Sequence, residues 1–220
     1  MNRSNSIKSN MKKPSQTNRM VSQRNMRNSR DMSRNNSMGN FNNKKGPDKN
    51  EILITFKKLW LDNTLWTRFF IISAISGTGD LQIVTKKLIK NPTDFSVVLK
   101  KFYSEEETKK LEVLMMDHLL IGIKLINTAK SGNITAINGL KEQWYKNAND
   151  ISEYLFSLNP NWDKKEWNKM FFENLKLTEE QVIKRFGRQY ADDIESFEKL
   201  ELLSEKMANF MAEGILKKSR

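Results

Sequence analysis

The 220-residue chain has no cysteine and a single histidine. The first absence excludes a disulfide framework, a thiolate-ligated zinc or iron–sulfur site, and thiol catalysis. The second excludes any site that needs two imidazoles, including the paired Glu-x-x-His motifs of di-iron bundles. No Gly-x-Ser-x-Gly is present, so a nucleophile elbow has no support. Gly77-Thr78-Gly79 follows a helical pattern rather than a strand, and no Lys-Ser/Thr comes behind it. Phosphate-loop and dinucleotide fingerprints need that strand-to-helix context and are rejected. Long apolar runs are also missing. The longest uncharged stretch of the most apolar region, Phe69 to Gly79, falls short of the ~18 residues of a membrane span. No apolar stretch of about 7–15 residues precedes residue 51, so a secretory signal is not expected.

What is present divides unevenly. Residues 1–50 hold six Arg and six Lys against Asp31 and Asp48, a net charge of +10 out of +12 for the whole chain. The remaining 170 residues are close to neutral. The same first segment carries 12 Asn, 8 Ser and 6 Met, with Ile7, Val21 and Phe41 its only other large apolar residues. High charge with little apolar surface predicts a disordered basic tail over 1–50, closed by the turn residues Gly46-Pro47-Asp48. Within it Met20, Met26, Met32 and Met38 recur every six residues. The period suits a low-complexity repeat without fixed structure; the other reading is an assembly-competent arm that orders against a partner.

Residues 51–218 read as an all-α body. Apolar residues recur at steps of three and four throughout. The expected elements are a central helix over 51–76, short ones over 81–90 and 94–102, and long ones over 105–130 and 134–158. A short helix over 163–174 follows, then a long one from 178 to 217 with Gly187 as a kink point. Ser104-Glu105-Glu106-Glu107 and Thr178-Glu179-Glu180-Gln181 both fit a capping box, Asp80 is a candidate cap, and Asn91-Pro92 and Asn159-Pro160 each stop a helix. The seam of the last long helix reads Val182, Phe186, Tyr190, Ile194, Phe197, Leu200, Ser204, Met207 and Met211. Four long helices with short turns favour an antiparallel helical bundle.

A few polar residues fall on apolar faces. His118 shares a stripe with Leu111, Leu114, Met115, Gly122 and Leu125, and Asn147 lies on the seam with Trp144 and Ile151. Arg68 sits on a mostly apolar helix and needs a carboxylate or an anion; Asp62, Asp80, Asp94 and Asp150 are candidate partners. Two readings follow. In one, these residues pair internally. In the other, Arg68, His118, Trp144 and Asn147 line a polar pocket for an anionic or amide ligand. No metal and no cofactor is expected.

The stretches WTRFFIIS (Trp66 to Ser73), NPTDF (Asn91 to Phe95), DHLLIG (Asp117 to Gly122), QWYKNANDI (Gln143 to Ile151) and LNPNW (Leu158 to Trp162) carry a resemblance. Through them residues 57–217 are similar to a family of uncharacterised short helical proteins of spore-forming Firmicutes, often labelled acetylglutamate kinase. That enzyme is a larger α/β protein with Gly-rich phosphate loops and a parallel sheet, neither of which this sequence carries. The resemblance implies a bacterial, cytoplasmic or spore-associated setting and no activity. The functional expectation is a non-enzymatic bundle whose cationic arm (Arg19, Arg24, Arg27, Arg30, Arg34, Lys44 and Lys45) binds nucleic acid or another polyanion, or tethers it to a protein assembly. The alternative is a ligand-binding or enzymatic bundle working through Arg68, His118 and Asn147.

Overall fold

The computed structural model describes residues 48–218. Residues 1–47 of the expected disordered tail, with the Met hexads and the seven basic residues named for polyanion binding, lie outside the described residues, whereas 48–50, also expected in the tail, form the cap and start of α1. Seven helices and no strand occur among the described residues: α1 (Lys49–Ser76), α2 (Leu81–Ile89), α3 (Asn91–Leu99), α4 (Glu105–Ala129), α5 (Ile134–Leu158), α6 (Lys164–Phe186) and α7 (Tyr190–Lys218). None of them is long and apolar enough to cross a membrane.

Local chemistry sets most boundaries. Asp48 accepts from the amide of Asn50 and starts α1 two residues earlier than expected. Ser104 and Glu107 form the reciprocal capping box at the head of α4. Asn133 and Asp163 cap α5 and α6 with their side-chain oxygens. Each such cap satisfies a helix N–H that has no partner within the helix. Asp80 does not cap α2; its carboxylate accepts from Thr78 Oγ1 instead. Asn91-Pro92 ends α2 as expected and also opens α3, because proline is suited to a first helical turn.

The α-helical bundle is as expected, but its long helices are divided differently. Thr178-Glu179-Glu180-Gln181 lies inside α6 and starts no helix. The stripe Trp167, Phe171, Leu175, Thr178 and Val182 is buried without interruption, so packing carries the helix through a sequence that would suit a cap. The break falls at Gly187 and Arg188, and the expected long helix from 178 to 217 becomes the end of α6 plus α7. The seam of α7 also differs from expectation. Tyr190 and Ile194 are exposed, whereas Asp193 and Ser196 are buried in line with Leu200, Leu203 and Met207.

Helix α7 packs along α1 and α6, α5 along α4 and α6, and α2 and α3 lie against α1 and α4. Thr64 meets Ser204, and Arg68 meets Asp193, so α1 and α7 run antiparallel. Tyr154 reaches the Glu107 carbonyl while Asn147 reaches that of Leu114, which sets α4 and α5 antiparallel as well. At the end near Asn159-Pro160 the fully buried Trp162 donates to the Met211 carbonyl at 3.0 Å. A β-carbon on Gly214 would come within 1.8 Å of that indole nitrogen, so only glycine lets α7 pass.

Candidate functional site

The named polar residues fall into two groups. Arg68 leaves α1 toward the α6–α7 hairpin and closes a two-pronged pair on Asp193, Nη1 to Oδ1 at 3.0 Å and Nη2 to Oδ2 at 3.3 Å. Arg185 adds a third bond to Oδ2 at 3.2 Å. Asp193 is 1 % exposed, so two guanidiniums face one desolvated carboxylate. Arg68 also lies over the Phe197 ring at 4.5 Å, and Lys184 donates to the buried Ser196 hydroxyl at 2.8 Å. None of the four aspartates expected for Arg68 is its partner. The separation of 125 residues hides the pairing from any local pattern. A signal was nonetheless available. The apolar stripe Met207, Leu203 and Leu200, followed backward in steps of three and four, reaches Ser196 and Asp193.

His118, Asn147 and Trp144 are brought together, apart from Arg68. Asn147 Nδ2 donates to the Leu114 carbonyl at 3.1 Å, which turns its Oδ1 to His118 Nδ1 at 2.8 Å. An amide oxygen only accepts, so Nδ1 carries the proton and Nε2 is left as an acceptor. Burial lowers the His118 pKa to about 4, against a smaller upward pull from the Asn147 bond. The imidazole is therefore neutral at pH 7. Its ring lies 5.5 Å from that of Trp144 and 5.9 Å from that of Phe171. Gly122 makes room for the indole: a β-carbon there would sit 2.9 Å from Trp144 Cζ2.

His118 also lines a recess of about 40 Å³ with Asn63, Thr67 and Asn174. That is room for a water molecule or two, not for a metabolite. A neutral imidazole there can accept a hydrogen bond. No group of three or more His, Cys, Asp or Glu side chains among the described residues is placed to hold a metal ion. Of the two readings, the internal pairing is what these hydrogen bonds display, in two groups: a charged one that ties α1 to the α6–α7 hairpin, and a neutral one that ties α4 to α5.

Comparison with family models, curated proteins and solved structures finds no match to this chain.

Proposed function

We propose that the protein is a non-enzymatic helical scaffold whose cationic N-terminal arm binds polyanions and so tethers the bundle to a larger assembly, with the bacterial cytoplasm or the spore coat as its setting. The observation that carries this reading is the segregation of charge: twelve basic against two acidic residues in positions 1–50, beside a body of nearly balanced charge. The interior of the bundle is consistent with a scaffold. Asp193 is occupied by Arg68 and Arg185, and Asn147 by His118 and the Leu114 carbonyl, so these buried groups serve to join helices.

Binding by such an arm draws on counterion release, which is independent of sequence and falls steeply with salt. The test keeps the full chain and replaces Arg19, Arg24, Arg27, Arg30, Arg34, Lys44 and Lys45 with Gln. The parent protein should retard duplex DNA at low salt, with a log–log salt slope reaching about −6 if all seven charges engage. The neutralised variant should lose that retardation while keeping its helical circular dichroism. Equal retardation by both proteins, or failure of both to bind DNA and heparin, would remove the arm from the function.

A further inference from the structure

A second cleft, separate from the His118 recess, opens between the C-terminal half of α4, the N-terminal half of α5 and the end of α6. It measures about 130 Å³ and is walled by Leu125, Ile126, Ile137, Trp144, Val182 and Ile183. Two polar atoms of its lining residues lack partners among the described residues. Trp144 is 6 % exposed, and its buried Nε1–H donates to nothing. Glu179 places Oε2 on Lys141 at 2.7 Å, but its buried Oε1 accepts no hydrogen bond. A buried donor or acceptor left unpaired is costly, and native structures rarely keep one. Here a donor and an acceptor belong to the lining of one apolar cleft. Tyr145 approaches the same carboxylate: its phenol pKa is raised first by burial, then by the Glu179 charge and by hydrogen bonding with that side chain.

We propose that this cleft binds a small neutral molecule with a hydrocarbon body and one hydroxyl, of the size of a phenol. An apolar cavity of about 150 Å³ takes a benzene-sized guest, which sets the scale. The charge of Glu179 is already balanced by Lys141, so a cation would compete with that pair and an anion would be repelled by the carboxylate. A hydroxyl answers both unpaired atoms: its oxygen accepts the indole N–H, and its proton goes to Oε1. Gly122 leaves the space the indole occupies, because a β-carbon there would meet the ring at 2.9 Å from Cζ2 and 3.5 Å from Nε1.

The test uses the full chain and a matched pair of probes, phenol and toluene, which share shape and differ in the hydroxyl. Binding is read from the Trp144 indole N–H resonance in ¹⁵N-labelled protein. Phenol should shift that resonance and bind about tenfold more tightly than toluene, as one well-made hydrogen bond allows. Glu179→Gln should bring the two probes toward equal affinity, and so should Trp144→Phe, where binding is followed through the backbone amide resonances of the cleft residues instead. The probe comparison on the parent protein stands even if Trp144→Phe does not fold. Equal affinity for phenol and toluene in the parent, or a Trp144 resonance that phenol leaves unmoved, would overturn the proposal.

Discussion

The bundle contains two helical hairpins that solve one problem in different ways. Between α4 and α5 the chain turns through Ser131-Gly132-Asn133, and the residue with left-handed backbone is Gly132, at φ 68°. The two helices are then joined by a neutral bridge, Leu114 to Asn147 to His118. Between α6 and α7 the left-handed residue is Arg188, at φ 57°. Gln189 N–H bonds to the Lys184 carbonyl and Arg188 N–H to that of Arg185, the paired bonds of a Schellman ending with an arginine where glycine is usual. This hairpin is held by charge, through Arg68, Asp193 and Arg185. The comparison separates local from tertiary control. Where glycine relaxes the turn, a neutral amide suffices to register the helices. Where the turn is strained, a buried ion cluster reaching in from α1 sets the register of the two helices.

The sharpest way to break the contrast is Asp193→Ala. It would leave two guanidiniums largely buried without a counter-charge, which costs about 3–5 kcal/mol. Urea unfolding should report that loss. Arg68→Met, which removes a charge and keeps apolar volume, should cost less, because Arg185 still balances Asp193. If Asp193→Ala unfolds no more readily than the parent, the cluster is not what holds the hairpin.

Much of this was legible in the sequence where the cause is local. Ser104 and Glu107, Asn133, and Asn159-Pro160 mark their boundaries through side chains within a few residues. His118 and Asn147 stood out because each interrupts an apolar stripe, and polar residues on such faces need partners. Other features were not local. Thr178 begins a sequence that fits a cap, yet at 3 % exposure it continues a core face, and burial overrides the cap. Phe186, Tyr190 and Ile194 fall on the seam by their spacing along one continuous helix, but the chain breaks after α6, and Asp193 and Ser196 take the inward positions, where Arg68, Arg185 and Lys184 receive them. A pairing across 125 residues leaves no trace in a window of about eighteen or fewer.

The neutral bridge should show itself through pH. His118 titrates near 4 in the folded chain and near 6.5 when unfolded. Between those values the unfolded state binds more protons, so the contribution is complete above pH 6.5 and is lost as pH falls toward 4. The parent should lose about 2–3 kcal/mol more than His118→Gln over that interval, read from urea midpoints at matched pH. Parallel pH profiles would mean that His118 does not sense the interior. Asn147→Ala should follow at about 2 kcal/mol, since it leaves the His118 Nδ1–H without a partner and removes the second bond to the Leu114 carbonyl, which keeps its bond within α4. Asn147→Asp would sharpen the result. A carboxylate beside Nδ1 should raise the imidazole pKa and flatten the pH dependence, whereas the alanine variant should not.

The smallest expected effect has the opposite sign. An L-residue in left-handed backbone costs about 1–2 kcal/mol, and glycine adopts it freely. Part of that gain is lost because glycine also loosens the unfolded chain. Arg188→Gly should therefore stabilise the protein by about 0.5–1 kcal/mol, making the second hairpin resemble the first. Arg188→Ala serves as the control: it removes the same exposed side chain and keeps the strained backbone, so its stability should stay near that of the parent. In the background of Asp193→Ala the glycine variant should gain as much as it does alone, because turn strain and ion cluster act on the hairpin through different atoms and share no bond. A larger gain in that background would show that the cluster holds the turn in its strained form, and that the two features are one device rather than two.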